Sequence, residues 1–319
     1  MLNRRILRIK VFKTLYSSIL KGDSSLSEAE SQLDMACEAT RDLYLFMLGV
    51  VSPLTAVAAD KIESARKKFN PTEQERNPNM KFVDNSLARQ LDGDPDFQKL
   101  FKKKKYSWEQ YDIVLKKIMT SVYTKDYYKE YMDSDERSLK EDCALFTRIF
   151  EEEFVDLPEM EQILEDMSIY WNDDLAYSLT YVCRTLEAMG RGERWSLPLL
   201  YQSQTMKGEG VEDDRLFSRK LLRSAYAGYE RYSEMVASAV PNWDNDRLVS
   251  TDVFLIILGL AEVSNFPTIP VKVTINEYVE ISKYYGTPKS RLFVNGLLDK
   301  LIQKLSEDGK VVKTGKGLM

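Results

Sequence analysis

What most constrains this chain is the spacing of its apolar residues, which recur every three or four positions almost from end to end. That period buries one stripe of an α-helix. Strands would instead show alternation bounded by turn pairs, and such runs are scarce here. Leu7, Val11, Leu15 and Ile19 form one row, and Phe293, Leu297, Leu301 and Leu305 form another. With 14 Gly and 10 Pro in 319 residues there is little material for the tight turns of a β-sandwich. The expectation is an all-α protein of about two domains.

Punctuation along the chain divides it. Residues 70–79 (NPTEQERNPN) are polar with two prolines, and residues 190–214 hold four glycines and a proline, so both read as loops. Gly286 ends one helix; Thr287 as N-cap and Pro288 in the first helical position would start the next. Gly296 lies inside that second helix, where Gly costs about 1 kcal/mol relative to Ala. Another backbone approaching closely is the expected compensation. Residues 306–319, rich in Gly and Lys, read as a flexible basic tail.

There is also an internal repeat. LFTR at 145–148 matches LFSR at 216–219, and YWNDD at 170–174 resembles NWDND at 242–246, at nearly the same offset. A strongly apolar helix follows each Trp–Asx cluster, with Asp173 or Asp174, and Asp244 or Asn245, as expected N-caps. A duplicated helical unit is the reading.

The chain contains no histidine, which removes imidazole-based acid–base catalysis, Ser–His and Cys–His pairs, and zinc sites that need imidazole. Cys37, Cys143 and Cys183 stand far apart with no CxxC pair, so they read as thiols of a reducing compartment. The carboxylate pairs Asp173/Asp174 and Asp244/Asp246 read as helix caps rather than metal ligands or acid–base residues. No catalytic residue, metal or cofactor is expected. Arg8, Lys10 and Lys13 interrupt any leader-like apolar run, and the apolar run at 253–261 is about half of what a bilayer span needs. A soluble, cytoplasmic protein with no membrane partner is expected.

The net charge of −5 hides an asymmetry. Residues 1–21 carry six bases (Arg4, Arg5, Arg8, Lys10, Lys13 and Lys21) and no acid, while residues 133–175 carry 15 acids against three bases. Outside that acidic stretch the chain is at +7, so a local basic surface can bind phosphate despite the total. Arg4, Arg5 and Arg8 stand within one turn, at a helix N-terminus where the macrodipole disfavours cations. An external polyanion would offset that repulsion. The run KKKK at 102–105 has no interleaved aromatic and reads as a solvated face. Near the other end, Tyr285 and Phe293 flank a turn carrying Lys289 and Arg291, the mixture of rings and cations that grips single-stranded RNA.

These two ends carry a family resemblance. PVKVTINE from Pro270, GTPKSRLFVNGLLDK from Gly286 and NRRILRIKVFKTLY from Asn3 resemble the NusB family of transcription antitermination factors, as do DRLFSRKLL at 214–222 and LGLAEV at 258–263. The resemblance covers residues 1–20 and 213–301, about a third of the chain. It implies two small helical bundles that bind boxA-type single-stranded RNA together with the NusE ribosomal protein, on the RNA polymerase antitermination complex. By position it implies that Arg4, Arg5 and Arg8, with Lys10 and Lys13 on the same helix, face RNA. It implies the same of Tyr285, Lys289 and Phe293, beside Arg291, and a partner-holding role for Tyr16 and Asp252. Lys289 stands where short members can carry an acid, which adds positive charge. The resulting divisions are 1–22 for the arginine-rich first helix and 23–205 for a helical insertion. They continue with 206–305 for the C-terminal NusB-like bundle and 306–319 for the tail. The competing readings are a helical scaffold for proteins alone and an accessory part of an RNA-modifying enzyme. The second lacks a Gly-rich nucleotide loop and a Pro-Cys motif.

Overall fold

The computed structural model describes residues 1–22, 24–205, 211–240 and 251–318. The chain runs through α1 (Arg4–Lys21) and α2 (Leu26–Leu48), then α3 (Val51–Arg66), α4 (Glu73–Arg76), α5 (Ser86–Gly93) and α6 (Pro95–Lys104). There follow α7 (Asp112–Val122), α8 (Asp126–Asp133), α9 (Leu139–Ile149), a π-helical turn at Phe150–Phe154, α10 (Pro158–Met167) and α11 (Leu175–Gly190). After a short hairpin of β1 (Ser203–Thr205) and β2 (Val211–Asp213) come α12 (Asp214–Ala227), α13 (Tyr229–Ala239), α14 (Thr251–Asn265), α15 (Val271–Tyr285) and α16 (Ser290–Glu307). The protein is all-α. Among the described residues the one departure is that hairpin, in which Ser203 pairs with Asp213 and Thr205 with Val211.

Two compact units result: Met1–Cys37 with Leu200–Met319, and Glu38–Leu199. The first division falls inside α2, against an expected boundary at 22/23, and the second at 199/200, against 205/206.

In the first unit α14 is the core. Residues 253–263 are all buried, which explains why their sequence is apolar on every side rather than on one stripe. α15, α16, α12, α13 and α1 pack around it. Among the described residues one stretch, Leu26–Arg66, covering α2 and α3, is long and apolar enough to cross a bilayer, and 61% of its apolar window is buried in the protein.

The second unit is built on α9 against α11 and α3 against α7, with α5 touching α3, α6 and α9. LFTR lies in α9, which packs on α11; LFSR lies in α12, which packs on α14. Each copy of the repeat is thus a helix laid on a strongly apolar one. Asp174 occupies the N-cap position of α11 without capping it, its carboxylate accepting from Thr40 Oγ1. The second cluster, at 242–246 with Asp244 and Asn245, lies outside the described residues. KKKK ends α6, exposed, with Lys104 bonded to Asp42 at 2.7 Å. Cations there complement the helix C-terminus.

Three local expectations are corrected. α16 begins at Ser290, because Thr287 and Pro288 form a turn in which Ser290 Oγ accepts from the Thr287 N–H at 2.7 Å. Gly296 is exposed, and a Cβ there would meet nothing within 4 Å, so no backbone of the described residues approaches it. The tail beyond Glu307 is tied down. Lys313 Nζ donates to the carbonyls of Val263 and Phe266, each at 3.0 Å, and the Thr314 N–H donates to Pro267 O at 3.0 Å. Val263 lies in the last turn of α14 and Phe266 just past its end, where a cation is favoured.

Candidate nucleic-acid interface

α1 starts from Asn3, whose side chain accepts from the Ile6 N–H at 3.0 Å, with no acid in its first turn. Successive helix positions differ by about 100°, so Arg5 turns away from Arg4, while Arg4 and Arg8, four positions apart, stay neighbours with both guanidiniums over the Phe217 ring. Arg4 Nε reaches Asp214 Oδ1 on α12 at 3.3 Å, with its guanidinium 4.9 Å above the Phe217 ring. Arg5, 49% exposed, clasps Glu277 of α15 with two bonds of 3.0 and 2.7 Å. Arg8 lies between them on the helix and points inward. It binds both oxygens of Glu262 on α14, at 2.7 and 2.8 Å, with the two side chains 3% and 0% exposed.

Carboxylates of the same unit, rather than an external polyanion, therefore offset the cationic first turn. Glu262 is further saturated by Thr274 Oγ1 at 2.8 Å and Tyr278 OH at 3.2 Å. Burial works against the Arg8 charge, but Glu262 outweighs it and raises its pKa. At Glu277 burial likewise opposes ionisation, and the bonds from Arg5 overcome it and hold the carboxyl below its ordinary range.

Arg8 and Lys10, both expected to face RNA, are 3% exposed. This corrects their role: α1 packs on α12 and on α14, so more than one stripe of the helix is withdrawn from water. What remains near solvent forms an edge. Lys13 Nζ lies 5.4 Å from the centre of the Tyr285 ring, which is half-buried and packs on Phe12 at 5.3 Å. The chain then turns through Lys289 and Arg291, both exposed and in no ion pair with any described residue. Phe293 is half-buried at the head of the row whose later members Leu297, Leu301 and Leu305 are buried. Tyr284, 79% exposed, was missed by motif reasoning although the doubled tyrosine of the KYYG run signals it.

Tyr16 is half-buried, edge-on to Phe254 at 4.9 Å. Asp252, expected to hold a partner, turns its carboxylate into the fold. Oδ2 accepts from Ser290 Oγ at 2.7 Å, and Oδ1 is buried with no hydrogen-bond partner among the described residues. Burial raises its pKa, against the lowering effect of Ser290. Gly286 fits beneath this brace: a Cβ there would meet Ser290 Cβ at 2.5 Å and Asp252 Oδ1 at 2.8 Å.

The sequence profile of the NusB family matches residues 180–303, the stretch that supplies α12 to α16 and thus every acid partner of α1 just described. A relative from Methylacidiphilum infernorum, named transcription antitermination protein NusB, is 35% identical over 118 residues, which cover 33% of this chain and 82% of that one. The chain belongs to the NusB family. Relatives with the same name from Salinibacter ruber and Chloroherpeton thalassium are each 34% identical, over 105 and 103 residues. The matches take in 33% and 32% of this chain, and span 66% and 49% of those NusB proteins. No solved structure gives a significant match. The NusB match leaves most of the unit Glu38–Leu199 without a counterpart.

Proposed function

We propose that the protein is a non-enzymatic, cytoplasmic transcription antitermination factor that binds boxA-type single-stranded RNA. It does so together with the NusE-type ribosomal protein, on elongating RNA polymerase. Membership of the NusB family supports the role. The observation that carries the RNA assignment is the solvent-facing edge of Arg5, Lys13, Tyr285, Lys289 and Arg291, with Tyr284 beside it. Cations contact phosphates there while the tyrosine rings stack on unpaired bases. Arg4 and Phe293 stand at the margins of this edge. Arg8 acts through Arg5: both bind Glu277, Arg8 Nη1 at 3.7 Å, so the buried arginine fixes the carboxylate that orients the exposed one. Tyr16 contributes to the partner face, and Asp252 acts on it through the turn it braces.

The test is binding of the purified protein to a boxA-like RNA and to a scrambled RNA of equal length, with and without the NusE-type protein. The proposal expects preference for the boxA-like strand and tighter binding when the ribosomal protein is present. Binding of the ribosomal protein with no RNA affinity in either condition would leave a protein-only scaffold.

A further inference from the structure

The unit Glu38–Leu199 holds a cleft of about 910 Å³ between α3, the segment around α4, and the α7–α8 corner. That size suits a small-molecule site. Its walls are fixed. Thr72 and Glu75 close a reciprocal capping box on α4, and Asn79 Nδ2 donates to Met132 O at 2.8 Å. Just beyond, the buried Lys81 is bonded to the carbonyls of Tyr131 and Ser134. The polar loop that the sequence marks at 70–79 is therefore a built wall.

Phe82 and Tyr128, 1% and 9% exposed, line the cleft 5.6 Å apart, and Tyr123 packs edge-on to Tyr128 at 5.4 Å. Lys61 Nζ sits 3.5 Å from the centre of the Tyr123 ring. Three charged residues line the cleft. Lys68 is paired with Glu75 at 2.5 Å, and Lys61 has no carboxylate partner among the described residues. Neither tyrosine hydroxyl bonds to any described residue. Partial burial lowers the Lys61 pKa with nothing opposing it. Another cleft of this unit, of about 770 Å³, has the opposite character, lined by Asp60, Asp92, Glu109 and Asp112 with no cation among its described residues.

We propose that the Lys61 cleft binds a small aromatic anion, with its flat ring in the apolar corner beside Tyr123 and the edge of Tyr128, and one phosphate or carboxylate on Lys61. One cation held by a ring face but by no carboxylate matches one anionic group, and that favours a small ligand over a polyanionic strand. Aromatic walls match a planar body, and the two tyrosine hydroxyls supply donors for its polar edge. The proposal does not rest on the RNA-binding role.

The experiment is calorimetric titration of the full chain with the four ribonucleoside 5′-monophosphates as phosphate probes and indole-3-acetate as carboxylate probe. Adenosine lacks the anion and inorganic phosphate lacks the ring, so these two serve as controls. At least one phosphate or carboxylate probe binds with a Kd below about 1 mM, and both controls bind at least tenfold more weakly. Lys61→Met keeps the aliphatic stem and weakens binding at least tenfold, Lys61→Arg restores it, and Lys68→Met changes it less than threefold. Circular dichroism melts confirm that each variant folds. Failure of every probe, equal binding of adenosine and AMP, or an unaffected Lys61→Met variant each overturns the proposal. Binding of an RNA octamer at this cleft more tightly than any monomer would replace the small ligand by a strand and overturn it as well.

Discussion

Arg8 and Glu262, 254 positions apart in the chain, meet in a two-bonded pair of 2.7 and 2.8 Å that is almost wholly out of water. The pair ties the first helix to the core helix α14. It divides an apparently uniform basic motif into one buried structural arginine and two that reach partly into solvent.

Removing one partner of such a pair strips a buried charge of its main counter-ion, which costs about 3–5 kcal/mol, and Glu277 at 3.7 Å from Arg8 offsets only part of it. Glu262→Gln is therefore expected to lower the calorimetric melting transition of the first unit sharply. Arg8→Met combined with Glu262→Met, which removes both charges, is expected to cost less than Glu262→Gln alone. Equal melting of Glu262→Gln and the parent would refute the pairing.

Gly286 and Gly296 should respond oppositely to alanine. At Gly286 the new methyl would collide with Ser290 and Asp252, so the overpacked turn loses about 1–3 kcal/mol and RNA binding weakens with it. At Gly296 the methyl meets open space on a helix, and the protein gains about 0.5–1 kcal/mol. Urea midpoints of the two variants check both signs.

Much of this architecture is legible without coordinates. The run at 253–261 announces a buried helix, and the Leu297–Leu301–Leu305 row announces the face of α16. Pro288 misleads about the start of that helix, because the Ser290 hydroxyl is engaged by a carboxylate 38 positions away. The arginines mislead for the same reason. Periodicity shows that Arg4, Arg5 and Arg8 are neighbours, but not that Asp214, Glu277 and Glu262 come to meet them. Likewise, the polar loop at 70–79 is visible as a loop and invisible as a cleft wall.

Stability should fall on acidification in part through Glu277. Its carboxyl is depressed in the folded state, so below the ordinary carboxylate range of about 4.3 the unfolded chain binds more protons and gains on the folded one. That stability is present near neutrality and is lost as pH falls through the folded-state pKa. Asp252, raised by burial, acts in the opposite sense. Glu277→Gln is expected to narrow the difference between urea midpoints at pH 7 and pH 3.5. An unchanged difference would remove Glu277 from the acid transition.

The bonds of Lys313 to Val263 and Phe266 make the C-terminal segment part of the fold. Lys313→Met is expected to destabilise by about 1–2 kcal/mol, since bonds from a charged donor are the stronger ones. It should also speed proteolysis after residue 309. Wild-type stability and proteolysis in that variant would show those bonds to be idle.

The central claim is that the exposed edge, and not the buried arginine itself, grips RNA. It is tested most directly by the salt dependence of binding to a boxA-like strand. Replacing Lys13, Lys289 and Arg291 together by Ala should weaken binding and flatten the slope of log K against log salt by about 0.7 for each phosphate that the variant no longer neutralises. A slope equal to the parent's, with the variant still folded, would contradict the account.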